Sequence, residues 1–429
     1  MKGALGHAIV SGRWDNNVAV IDIEAALRPE NDGTSNAIIS RPRVTPDVDV
    51  DGDGKPDAPA SGQPVSLVVD PSARFAYVVN HSGASTPSAA GAYQHGHPGL
   101  VTVLDVARAL DPANNGSLGA VDGFVPTGRT GPVGCALTPD ARTLLISCAE
   151  AQESEDGGDE ITAIDVATRA VVRRIPLAEA KGHGATEPSR HDSPHESFGR
   201  YPNPNGLAVS SVRGGLAFAG NGGTDDVSVI DLAAALKGRP DAEIARIPVE
   251  AGPFGLAASP DGRWIAVAAR ESMRERREGK TISLIDAELA ASGRAAEVAR
   301  VRVGSDDPNE ETRPFAVAFT PDGKHVIASC FRSNSISIVS VADALAGRPA
   351  EVSRIYPKAP DGGPARPRGI AVAPDRTRAL VVGGMKSGPG SSLIWVINLD
   401  KALVEATVTS VGDESYMLDV VSPLKGRQG

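Results

Sequence analysis

The stretch that decides the fold is residues 416–427, which read YMLDVVSPLKGR near the end of the chain. They repeat a pattern that is clearest in residues 253–263, PFGLAASPDGR, where an apolar strand runs into a Pro-containing turn. The other copies continue into a second strand, whereas segments typical of a second and a third strand, 7–12 and 18–22, open the chain. Because a lone strand leaves its backbone N–H and C=O groups unpaired, we expect residues 415–424 to complete the N-terminal sheet.

The same pattern recurs along the whole chain. Turns of the Pro-Asp type mark the end of each first strand, at Pro71, Pro139, Pro260, Pro321 and Pro374, with a degenerate copy around Ser210 and Ser211. Third strands end in a residue suited to capping a helical turn, at Asp22, Asp105, Asp165, Asp231, Asp286, Ser340 and Asn398. The sequence therefore predicts an all-β, seven-bladed β-propeller that forms one domain over residues 1–429. Each blade has four antiparallel strands, and the terminal strand closes the ring.

Composition narrows the classes of function. The net charge of −10 argues against nucleic-acid binding, which needs a concentrated basic face. No apolar run approaches the roughly 20 residues of a membrane helix, and no secretory leader precedes the first strand; the compartment stays open, with the periplasm or the exterior favoured. The sequence predicts no oligomeric state.

Of the three cysteines, Cys135 and Cys148 are expected near one rim, and buried thiols are favoured over a disulfide.

Long insertions are expected on one face of the propeller. Loops between strands two and three, and loops from one blade to the next, leave a propeller on the same side. Every long insertion belongs to one of these two classes: 28–62, 81–98, 149–158, 178–202 and 271–279. Insertions gathered on one rim of a rigid scaffold are typical of a functional site.

The first of these insertions carries an acidic loop. Residues 49–57 read DVDGDGKPD, with carboxylates at alternate positions separated by glycines. Such a loop can wrap its oxygens around calcium, with Asp49, Asp51, Asp53 and Asp57 as side-chain ligands and the carbonyl of Lys55 as a further one. It resembles the calcium loops of integrin-type FG-GAP repeats and dockerins. We expect a bound calcium to stiffen the insertion; the alternative is an acidic loop tip without an ion.

Six of the eight histidines fall in two insertions of neighbouring blades. They are His81, His95, His97, His183, His191 and His195; Glu196 follows the last of them, and Glu150 lies in the loop between the two insertions in sequence. Imidazole and carboxylate on one rim suit a catalytic acid–base cluster or a zinc, copper or iron site. The alternative is that single histidines cap turns and face solvent.

A third group of candidates is basic. Residues that flank the Pro of the first strand, or follow the second strand, are expected around the central channel: Arg13, Asn205, Arg270, Arg313, Arg332, Arg366 and Arg368. Guanidinium groups suit a carboxylate or phosphate held by paired hydrogen bonds. The alternative is that they pair with acids such as Asp15 and Glu271 between blades. Aligning the repeats by their turns places Asp419 where another copy has Leu256, so this carboxylate is expected to meet an arginine or a ligand.

The repeat, with residues 76–80 reading AYVVN, resembles the YVTN family of seven-bladed β-propellers and its lactonase-like relatives. The resemblance covers almost the whole chain and implies a fold more strongly than a function. We expect an enzyme that acts on a small anionic molecule, as a lactonase-like hydrolase, a metal-dependent oxidoreductase or a lyase. The alternative is a non-catalytic, calcium-stabilised propeller that binds a protein, a glycan or a small ligand.

Overall fold

The structure, a computed structural model, describes residues 5–86, 98–149, 158–178, 202–272, 275–384, 388 and 390–423. It is an all-β, seven-bladed β-propeller with four antiparallel strands in each blade, which confirms the predicted fold class. The chain divides into two compact units. The first comprises Met1–Gly128 and Ile355–Gly429, and the second comprises Arg129–Arg354.

The first unit contains three blades and a short ribbon. The closing blade, so called because both ends of the chain contribute to it, consists of β1 (His7–Gly12), β2 (Asn17–Asp22), β3 (Ile38–Ser40) and β32 (Leu418–Val421). The ribbon consists of β4 (Asp47–Val48) and β5 (Ala58–Pro59). The next blade consists of β6 (Pro64–Val69), β7 (Phe75–Asn80), β8 (Pro98–Asp105) and β9 (Val121–Thr130). The third consists of β28 (Ile370–Val372), β29 (Arg378–Gly384), β30 (Ser392–Asn398) and β31 (Leu403–Val408).

The second unit contains four blades. The first consists of β10 (Pro132–Leu137), β11 (Thr143–Cys148), β12 (Glu160–Asp165) and β13 (Ala170–Pro176), and the second of β14 (Pro204–Ser210), β15 (Leu216–Asn221), β16 (Asp226–Asp231) and β17 (Glu243–Pro248). The third consists of β18 (Pro253–Ala258), β19 (Trp264–Ala269), β22 (Thr281–Asp286) and β23 (Glu297–Arg302). The fourth consists of β24 (Pro314–Phe319), β25 (His325–Cys330), β26 (Ser335–Ser340) and β27 (Glu351–Ile355). A ribbon of β20 (Glu271–Ser272) and β21 (Arg277–Glu278) extends from the β19–β22 connection.

The predicted closure of the N-terminal blade is confirmed. Strand β32 runs antiparallel to β1, with His7 opposite Val421 and Val10 opposite Leu418. The strand is shorter than the predicted 415–424, but its backbone pairing extends one step further, because Ser11 N–H donates to the Met417 carbonyl at 3.0 Å. Leu418 is buried among the apolar side chains of β1 and of the β28–β31 blade. Strand pairing and side-chain packing therefore join the two ends of the chain.

The polar residues that end the third strands cap helical turns, as predicted. Four aspartates and Ser340 accept a hydrogen bond from a backbone N–H two or three residues on, at the start of α1 (Ile23–Ala26), α2 (Val106–Ala109), α3 (Leu232–Leu236), α4 (Ala287–Ala290) and α5 (Val341–Leu345). Asp165 and Asn398 accept in the same way from Thr168 and Lys401 without a helix. Short 3₁₀ helices lie at Pro29–Asn31, Pro112–Asn114 and Val212–Gly214. These residues are structural, since their side-chain oxygens are used by the backbone.

The predicted place of Asp419 is wrong by one residue. Val10 and Val267 occupy equivalent positions, because each lies three residues after the partner of a capping aspartate, and their partners are Leu418 and Leu256. Leu418 is therefore the counterpart of Leu256, and Asp419 faces the other side of the sheet. Its carboxylate accepts hydrogen bonds from the backbone N–H groups of Val69 and Val420, both at 2.8 Å. Within the described residues it contacts no arginine.

The three cysteines are free thiols, so the favoured interpretation of buried, unpaired cysteines holds for Cys148 and Cys330. Cys135 is half-buried. Burial raises the pKa of both Cys148 and Cys330 to about 12, which makes them poor nucleophiles. Among the described residues, no helix is long and apolar enough to cross a membrane.

Asp419 is expected to make stability depend on pH. Desolvation raises its pKa to about 6, against about 4 in an unfolded chain. The folded state therefore keeps a proton that the unfolded state loses, and the free energy of unfolding falls as the pH rises between these values. Asp419→Asn, which keeps an acceptor for Val69, should gain about 2–3 kcal/mol relative to the native protein between pH 4 and pH 7.

Urea titrations at several pH values measure this difference. Asp361→Asn, at an exposed turn, is the matched control. A difference between Asp419→Asn and the native protein that stays constant from pH 4 to pH 7 contradicts the expected raised pKa.

Candidate functional site

The chain enters most blades through a residue with left-handed backbone geometry. A positive φ occurs directly before the first strand at Gln63 (55°), Gly131 (59°), Asn203 (47°) and Arg313 (51°), and four residues before it at Arg366 (44°) and Glu414 (48°). For a residue other than glycine this geometry costs roughly 1–2 kcal/mol. Strain of this kind persists where the surrounding structure enforces it, and it clusters at functional sites. Five polar side chains are held in this way at blade entrances, which makes these entrances candidates for a functional site.

In the first unit, two of these left-handed residues, Gln63 and Glu414, contact one arginine. Arg13 Nε donates to Gln63 Oε1 at 3.2 Å, and Arg13 Nη1 lies 3.4 Å from Glu414 Oε2. The same guanidinium donates to the Tyr416 hydroxyl at 3.1 Å and lies over the Trp14 and Tyr416 rings, 4.9 and 5.1 Å from their centroids. Trp14 Nε1 donates to Glu414 Oε2 at 2.7 Å. We call the group formed by Arg13, Trp14, Gln63, Arg368, Glu414, Ser415 and Tyr416 the closing-blade cluster.

Three buried polar atoms of this cluster have no hydrogen-bond partner among the described residues. They are Gln63 Nε2, Glu414 Oε1 and Ser415 Oγ, and the three residues are 1%, 3% and 0% exposed. A buried polar group without a partner costs about 1–3 kcal/mol. Here a donor, an acceptor and a hydroxyl that can serve as either lie around one arginine. The closing-blade cluster can therefore offer hydrogen bonds to a small polar molecule.

Arg368 completes the cluster from the entrance of the β28–β31 blade. It is 1% exposed, and its guanidinium donates to the carbonyls of Ser415 at 3.1 Å and Gly384 at 3.4 Å. It lies 5.7 Å from the centre of the Tyr416 ring. Burial lowers the pKa of Arg368, and the nearby charges of Arg366 and Arg13 act in the same direction. The structure thus brings two of the predicted arginines, Arg13 and Arg368, to the same tyrosine.

A pair of carboxylates borders the closing-blade cluster. Asp413 N–H donates to Asp15 Oδ2 at 2.7 Å, and the Gly388 N–H donates to Asp413 Oδ1 at 3.1 Å. Desolvation raises the pKa of the Asp413 carboxyl, and the neighbouring charges of Asp15 and Glu414 add to the increase. As the pH falls, Asp413 therefore takes up a proton more readily than an ordinary aspartate, and the negative charge beside Glu414 decreases.

In the second unit, three of the predicted arginines alternate with two glutamates. Glu271 Oε1 lies 3.2 Å from Arg270 and its Oε2 lies 2.6 Å from Arg313, while Glu278 Oε1 and Oε2 lie 3.1 Å from Arg313 and 3.0 Å from Arg332. Glu271 and Glu278 are directly opposite in the β20–β21 ribbon, so Arg313 offsets a repulsion that would otherwise oppose the pairing. Here the alternative interpretation, arginines paired with acids, describes the observed contacts.

Aromatic rings support the same row of charges. Arg270 lies 4.7 Å from the Phe254 ring centre and 5.3 Å from that of Phe315, and Arg313 lies 5.3 Å from that of Phe331. Phe254 and Phe315 are 4.5 Å apart. Such contacts hold each guanidinium plane in one orientation. Asn205 donates to the Pro253 carbonyl at 3.4 Å, so it links two neighbouring blades of this unit.

Most of the predicted histidine cluster lies outside the described residues. This applies to His95, His97, His183, His191, His195, Glu150 and Glu196. His81 is described and buried, and its backbone N–H donates to the Gln63 carbonyl at 3.0 Å. One of the six histidines is therefore adjacent to a residue of the closing-blade cluster along the β6–β7 pairing.

The acidic loop folds around its own carboxylates. Asp49 accepts from the backbone N–H groups of Gly52 and Gly54, both at 2.7 Å, and Asp57 accepts from Val50 at 3.1 Å. Carboxylate oxygens of Asp49, Asp51 and Asp57 lie within 4.8 Å of one another. Asp53 is not part of this group; it accepts from the Lys55 N–H at 2.8 Å.

Sequence reasoning missed Gln63 and Glu414 as members of the site. Gln63 precedes the Pro of a first strand, as Arg313 and Arg366 do, so the rule that selected those arginines would also have selected it. Glu414 gave no such signal, because no Pro follows it. Its position depends on the closure of the blade by β32.

With this geometry in place, the chain can be compared with known proteins. No protein-family model matches it, and no curated protein matches its sequence. Its fold is similar to that of the periplasmic gluconolactonase of Pseudomonas aeruginosa, at 18% identity, with 97% of this chain and 99% of that chain covered and a TM-score of 0.63. It is also similar to a candidate 6-phosphogluconolactonase of Bacteroides uniformis, at 17% identity, with 96% and 99% covered and a TM-score of 0.60.

Hydrazine synthase of Kuenenia stuttgartiensis is similar too, at 17% identity, with 89% of each chain covered and a TM-score of 0.54. The similarity is one of fold. Proteins named for unrelated reactions share it, so the assignment of a reaction has to rest on this chain's own residues.

The left-handed geometry of Gln63 gives a test of strain at the blade entrances. Gln63→Gly and Gln63→Ala both remove the side chain, but only glycine adopts a φ of 55° without steric cost. We expect the glycine variant to be the more stable by about 1 kcal/mol in urea titrations. The order should reverse at Val172, an exposed position of strand β13, where alanine is favoured over glycine. An alanine variant of Gln63 as stable as the glycine variant would contradict enforced strain at this position.

Proposed function

We propose that this protein is a hydrolase that opens the ring of a small lactone carrying hydroxyl groups, and that the closing-blade cluster is its active site. The observation that carries the proposal is the state of Glu414. Arg13 and Trp14 hold one carboxylate oxygen, while the other, Oε1, is buried and has no partner in the part of the chain that the structure describes. A carboxylate fixed by one oxygen and open at the other is suited to act as a general base on water.

The chemistry follows from the groups around Glu414. A water hydrogen-bonded to Glu414 Oε1 attacks the lactone carbonyl carbon, and Oε1 takes the proton that the water loses. The carbonyl oxygen gains negative charge in this step, and guanidinium N–H groups of Arg13 or Arg368 stabilise it. When the ring C–O bond breaks, the leaving oxygen takes the proton back, so one water and one lactone give one hydroxy acid.

The remaining atoms of the cluster suit a hydroxylated ring. Gln63 Nε2 can donate to a ring hydroxyl, and Ser415 Oγ can donate or accept. A substrate that satisfies these buried groups removes their desolvation cost, and an analogue without hydroxyls does not. The fold similarity to a gluconolactonase and the resemblance to YVTN and lactonase-like propellers support a lactone as the substrate class. The alternative is a propeller that binds such a ligand without turnover.

Two metal sites are part of the proposal. Asp49, Asp51 and Asp57 fit a calcium ion, because three carboxylates converge in a loop whose backbone N–H groups already orient them. Calcium would stiffen the insertion that carries them. The predicted zinc, copper or iron site at the histidines is kept as a second proposal, tested by the metal content of protein purified without chelators.

Replacement of the base tests the proposed reaction. Glu414→Gln keeps the size and the acceptor for Trp14 but cannot take a proton, so hydrolysis of glucono-δ-lactone should fall by about 10²–10⁴-fold. Acid release in a pH-stat measures it against spontaneous hydrolysis. Glu30→Gln, at an exposed position, should keep full activity. Native protein that binds the lactone without releasing acid would favour the non-catalytic alternative, and full activity of Glu414→Gln would exclude Glu414 as the base.

Calcium binding is tested separately. The native protein should bind one calcium per acidic loop in isothermal titration, and saturation should stabilise it, by about 2.7 kcal/mol at a concentration of one hundred times the Kd. Asp51→Asn should lose both the binding and the stabilisation. Asp241→Asn, an exposed carboxylate paired with Arg239, should retain them. Titrations of native and Asp51→Asn protein that give the same heats would show that the loop holds no calcium.

A further inference from the structure

A second group of charged residues surrounds a cavity in the second unit. The cavity has a volume of about 240 Å³ and lies beside the β20–β21 ribbon. Its charged lining is Glu271, Arg276, Arg277, Glu278, Glu311 and Arg332. At about 30 Å³ per water in the liquid, the space corresponds to roughly eight waters. This is room for a small metabolite rather than for a peptide.

The two glutamates at the ribbon are already neutralised. All four of their carboxylate oxygens lie within 3.2 Å of a guanidinium nitrogen of Arg270, Arg313 or Arg332. Arg277 is also committed, since it pairs with Glu275 at 2.7 Å and Glu250 at 3.1 Å. Glu271, Glu278, Arg270, Arg313 and Arg277 therefore hold the wall together and have little left to offer a ligand.

Three lining groups are not committed in this way. Arg276 lies in the turn of the ribbon with a φ of 54° and has no acidic partner among the described residues. Arg332 uses only Nε, to Glu278 at 3.0 Å, so within the described chain its two terminal nitrogens contact no carboxylate. Glu311 likewise pairs with no cation in the described ranges. The cavity thus combines two available cationic groups with one available anionic acceptor.

We propose that this cavity binds the carboxylate of a small hydroxy acid. The guanidinium groups of Arg276 and Arg332 hold the carboxylate, and Glu311 accepts a hydrogen bond from a hydroxyl of the same molecule. A simple anion without a hydroxyl leaves Glu311 without a partner and places it beside like charge. A neutral polyol leaves both arginines without an anion. A ligand with both groups matches the three uncommitted side chains.

The choice of ligand rests on the proposed function, because a hydroxy carboxylate is what the opening of a lactone ring releases. The site itself does not rest on the proposed function, since its residues all belong to the second unit and none is part of the closing-blade cluster. The cavity would therefore take the product acid away from the residues that form it. Binding there is expected to be weak and sensitive to salt, because both arginines face solvent.

Isothermal titration of the full chain with D-gluconate at low ionic strength tests the site. We expect a Kd on the order of 1 mM, no binding of the neutral polyol D-glucitol, and loss of affinity in about 0.5 M salt. Arg276→Gln and Arg332→Gln should each weaken binding by at least about fivefold. Arg300→Gln is the matched control, because among the described residues Arg300 pairs only with Glu297 on the outer strand β23. Arg276 is exposed and has no ion-pair partner within the described chain, so its variant separates binding from folding.

Glu414→Gln distinguishes this proposal from the proposed function. It should abolish lactone hydrolysis and leave the titration with gluconate unchanged. Gluconate binding that is lost in Glu414→Gln but kept in Arg276→Gln and Arg332→Gln would place the acid in the closing-blade cluster and overturn the second site. The absence of any binding at about 50 mM gluconate would overturn it too, whatever the hydrolytic activity.

Discussion

The pairing of β32 with β1 is the constraint on which the proposed site depends. Four residues near the C-terminus supply the inner strand of a sheet whose other strands come from the N-terminus. The same pairing fixes the segment just before it, so that Glu414, Ser415 and Tyr416 meet Arg13 and Trp14 from the β1–β2 connection. Without this closure the backbone of β1 would lose its partner, and the proposed base would lose both of the side chains that hold it.

The closure also carries its own cost. Asp419 is half-buried in the inner strand, where a repeat of this type ordinarily carries an apolar residue such as Ala257. Its two backbone hydrogen bonds reach β6 and the next residue of β32, so the carboxylate links the closing strand to the neighbouring blade. Desolvation of this group weakens the fold as the pH rises. A charge retained in a closing strand despite this cost is a specific feature of this chain within an otherwise regular repeat.

The blade entrances hold polar side chains in positions that the regular strands do not provide. A left-handed residue before the first strand directs a polar side chain away from the sheet, and five such positions carry Gln, Asn, Arg or Glu. In the first unit these side chains leave buried donors and acceptors open around Arg13. In the second unit one of them, Arg313, belongs to a row of paired charges beside a cavity. The same backbone geometry thus serves a cluster with open hydrogen-bonding groups in one unit and a row of ion pairs in the other.

The sequence by itself determined the repeat, the capping aspartates and the closure by the C-terminal strand, because these depend on local periodicity and on turn chemistry. It also selected Arg13, Arg313 and Arg368 by their position in the repeat. Only the tertiary structure decided which of these arginines is neutralised by an acid and which meets open hydrogen-bonding groups. Glu414 and Gln63 are nearly the length of the chain apart and meet on Arg13. The tertiary structure also decided the register of β32. One extra residue before the turn of this copy moves the alignment of the strand by one position, and a shift of one position moves every side chain to the opposite face of the sheet.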